Sequence, residues 1–328
     1  MECFPLLQEL DFSYPSDCKN YSSYVDGVEA ISLALIKLRK VNLSGFPIND
    51  QSLFYLFNNC KHLEEVILFD SHEITNQGLA SALHERPTLT SLSFSATSSN
   101  PEYRQVFATS HFIDSLVSLK SLTCLALWDL NISDELLYSI ARESLPLMSL
   151  DLQSCTDYSY NGIFCLLSKC QRIQHLGLRG AYFLEDEHVV QLCSLLRDLV
   201  SINLSYCHQL TKSALFTLAK NCPSLSEIKM ETVGSDIEGN SDSLGKFGVF
   251  PQLKGLYLGG NSWLSDESII MITSIFPNLQ LLDLKFCNHI SEVPKLEVLD
   301  LSNTYVDDET LYVISKNCSG LLQLLLKH

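Results

Sequence analysis

The chain holds twelve cysteines and nine histidines, and these are the residues whose chemistry asks first for an account. A thiol beside an imidazole can bind zinc or serve as an activated nucleophile. Two local pairs offer that combination, Cys207 with His208 and Cys287 with His289. Neither has a second C-x-x-C or H-x-x-H at zinc spacing. No P-loop, G-x-S-x-G, H-E-x-x-H or G-x-G-x-x-G after a strand occurs. We therefore expect no catalytic residue, no metal and no enzyme. A hyper-reactive cysteine or stoichiometric metal would revive the enzyme alternative.

The cysteines follow a period instead. Cys155, Cys207 and Cys287 each stand three residues after an apolar anchor (Leu152, Leu204, Leu284), and Cys60, Cys170, Cys222 and Cys318 each close the segment before the next one. A small, weakly polar side chain suits a chain turning into a core. These seven are expected to be buried thiols acting as small hydrophobes, left reduced in a reducing compartment.

The elements that would position them come from the pattern L-x-x-L-x-L, with Ile, Val, Phe or Met allowed. It runs from Leu7-Leu10-Phe12 to Leu321-Leu324-Leu326. Its middle anchors are residues 10, 41, 66, 92, 125, 150, 176, 202, 228, 256, 282, 299 and 324; eight of the twelve steps are 25 or 26. The L-x-L core alternates with period two, which predicts a short strand with one buried face; Leu215, Leu218 and Ala219 then show helical spacing. Helix starts read as an apolar residue before a capping one: Ile48-Asn49-Asp50, Ile74-Thr75-Asn76, Ile132-Ser133-Asp134, Leu210-Thr211-Lys212, Leu264-Ser265-Asp266 and Val306-Asp307-Asp308. The polar side chain caps free amides of the first turn, and an acid there suits the helix dipole.

No unit can bury its own apolar face, so the units must stack. The expected fold is α/β: a leucine-rich-repeat solenoid, a ribonuclease-inhibitor-like horseshoe with parallel strands on the concave face and helices on the convex face. We expect a single domain over 1–328 of about 12–13 units, opening and closing within a unit and lacking end caps. The 17-residue step between Leu282 and Leu299 has Ile290-Ser291-Glu292-Val293-Pro294 where a helix belongs. It is either a real short unit or a lost segment.

Composition limits the partners. A net charge of −16 argues against nucleic acid and against anionic membrane surfaces. No apolar run approaches the ~20 residues of a membrane span, and Met1–Phe12 lacks signal-peptide character. A cytoplasmic or nuclear address is expected.

The clearest copy runs Leu204-Ser205-Tyr206-Cys207-His208-Gln209-Leu210-Thr211, then Leu215, Leu218-Ala219 and Cys222-Pro223-x-Leu225. It resembles the cysteine-containing leucine-rich repeat of F-box/LRR proteins, especially plant ones, and the resemblance covers essentially the whole chain. It implies a protein substrate held by the repeats for an SCF-type ubiquitin ligase that feeds proteasomal degradation. A small molecule sometimes sits between repeats and substrate in that family; no cofactor is implied. Adaptor and cullin would be reached through an F-box, but the first strand begins by Leu7, so the F-box would have to be missing or external. The alternative is a free-standing scaffold, inhibitor or sensor.

Strand residues flanking the inward anchors point to the concave face. Rungs three to five offer Ile67 and Phe69, Ser93 and Ser95, and Trp128 there. With rungs ~4.8 Å apart, Phe69 and Trp128 are expected ~10 Å apart over a floor of serines. Exposed Phe and Trp are typical interface anchors. The longest step, 33 residues, holds Thr97–Tyr103, expected to form a loop at the rim. The rings either receive a partner beneath that loop or pack against it. A second strip holds Asp151, Gln153, His175 and Arg179, with Tyr206, Tyr257 and Phe286 as an aromatic trail. The plainer readings there are solvated surface and packing between turns. The stretches Tyr14–Tyr21 and Gly234–Ser241 read as surface loops.

Overall fold

A computed structural model describes residues 6–15, 22–96, 106–234, 248–287, 298–300 and 323–325. The chain divides into two compact units, Met1–Ile173 and Gln174–His328. The first alternates strand and helix: β1 (Glu9–Asp11), α1 (Ser22–Ala34), β2 (Lys40–Asn42), α2 (Asp50–Asn59), β3 (Glu65–Leu68), α3 (Asn76–His84), β4 (Ser91–Ser95), α4 (Ser110–Val117), β5 (Cys124–Trp128), α5 (Asp134–Arg142), β6 (Ser149–Asp151) and α6 (Tyr160–Lys169). Each strand pairs in parallel with the next, aligning Leu10, Val41, Val66, Leu92, Leu125 and Leu150.

The second unit holds β7 (His175–Gly177), α7 (Asp186–Cys193), β8 (Ser201–Asn203), α8 (Lys212–Asn221), β9 (Glu227–Lys229), β10 (Gly255–Tyr257), α9 (Asp266–Ile275), β11 (Leu281–Asp283), β12 (Val298–Asp300) and β13 (Gln323–Leu325). Its parallel ladder aligns Leu176, Ile202, Ile228, Leu256, Leu282, Leu299 and Leu324. In both units the aligned residues are the middle anchors of the sequence repeat. A slip of one residue would turn every anchor outward, so burial of that face fixes the register. The 17-residue step still pairs Leu282 directly with Leu299. The Ile290–Pro294 stretch, the start at Val306, Cys318 and most of the Gly234–Ser241 loop lie outside the described residues.

The anchors Val66, Leu92, Leu150 and Leu256 are fully buried. Each such side chain contributes ~1.5–3 kcal/mol over an exposed one. The helices start as their capping residues require. Asn49 Oδ1 accepts the Ser52 N–H at 3.0 Å, Thr75 Oγ1 that of Gly78 at 3.0 Å, Thr211 Oγ1 that of Ser213 at 3.1 Å, and Ser265 Oγ that of Ser268 at 3.4 Å. Ser133 occupies its cap position without a side-chain cap bond.

Neighbouring repeats also cap one another. Asp50, the first residue of α2, accepts from the Thr75 N–H at 2.8 Å and the Thr75 hydroxyl at 2.7 Å. Asp134 takes the same two groups of Ser159 (2.8 and 2.6 Å), and Asp186 those of Thr211 (3.0 and 2.6 Å). Each carboxylate thus holds the capping residue of the helix one repeat later. The third residue of α3 and of α6 is glycine because of it: a Cβ on Gly78 would lie 1.9 Å from Asp50 Oδ1, and one on Gly162 2.2 Å from Asp134 Oδ1.

After most of the described strands, though not after β4, the chain reverses through a left-handed residue two positions past the last anchor. Gly45, Asp70, Asp129, Ser154, Gly180, Tyr206, Thr232, Gly260 and Phe286 all have φ between 51° and 76°. The next position is the buried turn slot. There the thiols of Cys155, Cys207 and Cys287 point at carbonyls of the preceding repeat, Leu127 (3.0 Å), Leu178 (3.3 Å) and Leu258 (3.6 Å). Asn261 fills the same slot and donates to the carbonyls of Met230 (2.7 Å) and Leu258 (2.8 Å). In these four repeats the slot holds a donor that reaches a carbonyl of the preceding repeat, which cysteine does weakly; elsewhere Phe46, Leu130 and Val233 fill it with apolar bulk. Burial pushes the Cys207 thiol up to about 12 and that of Cys60, at the end of α2, up to about 11.

Candidate partner-binding face

In the first unit, rungs three to five place Phe69, Ser95 and Trp128 side by side, since Leu68 pairs with Phe94 and Ser95 with Trp128. Two rungs separate the aromatic backbones, which gave the expectation of ~10 Å between rings. The structure corrects it: the rings are stacked, with centroids 3.9 Å apart and planes at 14°. Serine on the intervening rung has no bulk to keep them apart, so both rings lean inward and meet. Such a stack contributes ~0.5–1.5 kcal/mol beyond buried area.

Ser95 is accordingly no open floor. It is 2% exposed, and its hydroxyl accepts the Asp70 N–H at 2.9 Å. Ile67, Ser93, Phe69 and Trp128 are half-buried on the strand face. The Trp128 indole N–H donates to Asp151 Oδ2 at 3.0 Å, which fixes the ring. Phe69 and Trp128 are each followed by an aspartate in the left-handed conformation, Asp70 (φ 57°) and Asp129 (φ 56°). Asp70 accepts the Tyr14 hydroxyl at 2.7 Å; that bond and partial burial push the Tyr14 phenol up to about 12. Of these three aspartates, Asp151 is the one bonded to a ring of the stack. The 97–103 loop lies outside the described residues.

The second unit treats its aromatics differently. The Arg179 guanidinium lies 4.4 Å from the centre of the Tyr206 ring, and Lys229 Nζ 4.7 Å from that of Tyr257. His175 Nδ1 is 2.8 Å from the Ser201 hydroxyl. Two members of the aromatic trail, Tyr206 and Tyr257, are therefore each met by a cation of their own unit. Phe286 stands 58% exposed. Asp151 belongs to the first unit and His175 and Arg179 to the second, so the expected second strip is described in those two parts.

Cys207 and His208 diverge: the thiol is buried against the Leu178 carbonyl, while the imidazole stacks on Tyr182 at 5.7 Å. His289 lies outside the described residues. Among the described residues no three His, Cys, Asp or Glu side chains gather as a metal site would, and no helix is long and apolar enough to cross a membrane.

No protein-family model matches the chain. It is 23% identical over 163 residues to F-box protein SKIP1 of Arabidopsis thaliana, covering 44% of this chain and 52% of that protein. It is 30% identical over 213 residues to F-box/LRR-repeat protein 21 of Mus musculus, covering 54% and 49%. The chain therefore spans about half the length of the curated relatives it matches. One relative is a plant protein and the other a mouse protein, so the similarity is not confined to plants. Among solved structures it resembles the Rad7 and Elc1 complex of yeast (20% identity, TM-score 0.65, 93% of this chain and 72% of that one). An internalin of Listeria monocytogenes str. 4b F2365 (18%, 0.51, 94% and 89%) and TLR13 in its complex with ssRNA13 (15%, 0.57, 100% and 50%) share the fold as well. This is a leucine-rich-repeat fold.

Within that leucine-rich-repeat frame, two features escaped sequence reasoning. The capping carboxylates had a signal: Asp50, Asp134 and Asp186 each stand 25 residues before a Thr or Ser. Arg86 had none. It is buried, and its guanidinium donates to the Phe57 and Asn58 carbonyls at the end of α2.

Proposed function

We propose that this chain is a protein-binding leucine-rich-repeat module, and that it presents substrates to an SCF-type ubiquitin ligase for proteasomal degradation. Its partner docks on the strand face of the first unit, at Ile67, Phe69, Ser93 and Trp128, with Asp151 orienting the indole. The stacked pair carries this reading: two large rings are kept half-exposed on a sheet face, one held by a carboxylate. Rigid aromatic anchors of this kind dominate binding at protein interfaces. The ligase role is supported by the two relatives named F-box proteins. The chain acts as a recognition subunit rather than a catalyst, needs no cofactor, and works in the cytoplasm or nucleus, reaching adaptor and cullin through an F-box. His175 and Arg179 form a secondary contact.

The first test is affinity purification of the full chain from its own cells, read by mass spectrometry. Near-stoichiometric adaptor and cullin support the ligase role; their absence beside other stable partners leaves a scaffold. Trp128→Ala should abolish capture of the partner while costing no more than about 2 kcal/mol of stability. Retained binding with a large stability loss would make the rings intramolecular core.

A further inference from the structure

We infer that rungs seven and eight of the second unit receive an aspartate or glutamate side chain of the protein partner, its carboxylate held by the Arg179 guanidinium and the Asn203 amide. This rests on the reading of His175 and Arg179 as a partner contact and adds the chemistry of what they meet. Three observations lead to it.

The first is the state of the arginine. Among the described residues, the lysines and arginines of the strand face are Lys40, Arg179, Lys229 and Lys285. Lys40 meets Glu65 at 2.8 Å, Lys229 meets Glu227 at 3.4 Å, and Lys285 meets Asp283 at 2.9 Å. Arg179 has no carboxylate partner among the described residues. Its guanidinium lies over the Tyr206 ring at 4.4 Å, an attraction to the charge that leaves the fork of N–H donors for a carboxylate.

The second is a precedent within the chain. Asn42 on rung two and Asn203 on rung eight hold the same repeat position. Each Oδ1 accepts the N–H two residues on, that of Ser44 and that of Ser205, both at 3.1 Å. This bond sets the amide and leaves Nδ2 as the donor. Asn42 Nδ2 donates to Asp11 at 3.1 Å, the residue it faces across the ladder. Asn203 faces Gly177 instead. The donor is kept, and glycine stands where its carboxylate would be.

The third is placement. The ladder continues in register past β7 and β8, from the Leu178 N–H to the Asn203 carbonyl at 2.8 Å and from the Gly180 N–H to the Ser205 carbonyl at 2.9 Å. Arg179 therefore stands beside Asn203, on the face that Gly177 leaves open. The remaining strand-face residues of these two rungs are His175, Ser201 and Ser205, with no acid among them. The net charge of −16 opposes an acidic segment at long range. Selection therefore falls to these short-range donors.

The test uses a random peptide library displayed on phage through the peptides' carboxyl ends, so that side chains supply their only carboxylates. The library is cleared on immobilised Arg179→Gln and then selected on the full wild-type chain. Circular dichroism melts confirm that every variant is folded. The expected result is enrichment of peptides carrying Asp or Glu. Their affinity should fall about tenfold or more in Asn203→Asp, which turns the donor into a repelling charge. That substitution keeps the local turn, because Asp283 Oδ1 accepts the Lys285 N–H at 3.0 Å from the same repeat position. Gly177→Asp restores the Asp11 arrangement inside the chain and should block the same peptides. Replacing the peptide's acid by its amide should abolish binding. Peptides that need Arg179 but carry no Asp or Glu, or acidic peptides indifferent to both Asn203→Asp and Gly177→Asp, overturn the inference and leave Arg179 as a contact. A library with no enrichment on the wild-type chain over Arg179→Gln overturns both the carboxylate and the contact.

Discussion

The two units share one construction and dress it in opposite ways. Both align their middle anchors in a parallel ladder, reverse through a left-handed residue, and bury the side chain in the turn slot. On the strand face they part. The first unit closes two rings on each other beside Asp151, whereas the second sets Arg179 over Tyr206 and Lys229 over Tyr257. Repeats therefore fix backbone and core, and leave one ribbon of side chains free to vary.

The sharpest way to break the comparison is at rung four, where the first unit has its long step. Phe94, Phe107 and Phe112 form a fully buried chain there, with centroids 5.1 and 5.3 Å apart. Phe107→Ala should cost ~3–5 kcal/mol in chemical denaturation. A loss below 1 kcal/mol would mean that the long step is not anchored through this cluster.

Alkaline titration compares the two cores. Burial raises Cys60 and Cys170 in the first unit to about 11 and Cys207 in the second to about 12, from the ordinary 9. A raised thiol contributes its full stability below pH 9. That contribution is lost as pH climbs from 9 to the folded value, at up to ~1.4 kcal/mol per pH unit per thiol. Cys207→Ala should flatten the stability–pH curve between 9 and 12; an unchanged slope would place that thiol in water.

The capping carboxylates should show the units alike. Asp134→Ala and Asp186→Ala are each expected to cost ~1–2 kcal/mol, because a half-buried hydroxyl and an amide lose their acceptor. Clearly unequal losses would mean that the two units do not rely on the same device. Smallest is the effect of uncovering a tyrosine. Arg179→Ala should cost under ~1 kcal/mol and raise the accessibility of Tyr206 to iodination or nitration. No change at Tyr206 would show that the cation does not cover it.

The fold was legible because one apolar period recurs along nearly the whole chain, and each anchor from Leu10 to Leu324 is where the sequence puts it. The turn cysteines were legible for the same reason. The candidate site was read at the level of position and not of contact. Phe69 and Trp128 lie on the expected face, but backbone spacing ignores the lean of side chains over a small neighbour. Ser95 looks like its neighbour Ser93 in a strand pattern, yet it ends the strand, where an incoming amide claims its hydroxyl. The carboxylate bonds between repeats were missed because an acid at a helix start already has a sufficient local reason to be there. Tyr206 and Phe286 in left-handed turns run against residue preference, and only the slot they inherit explains them.

The direction of those carboxylate bonds has a consequence for synthesis. Asp50, Asp134 and Asp186 each reach forward, to a capping residue 25 positions nearer the C-terminus. As the chain leaves the ribosome, each of these three carboxylates is synthesised before the capping residue it accepts from. At these three junctions, then, the carboxylate that caps a later helix belongs to the part of the chain made first.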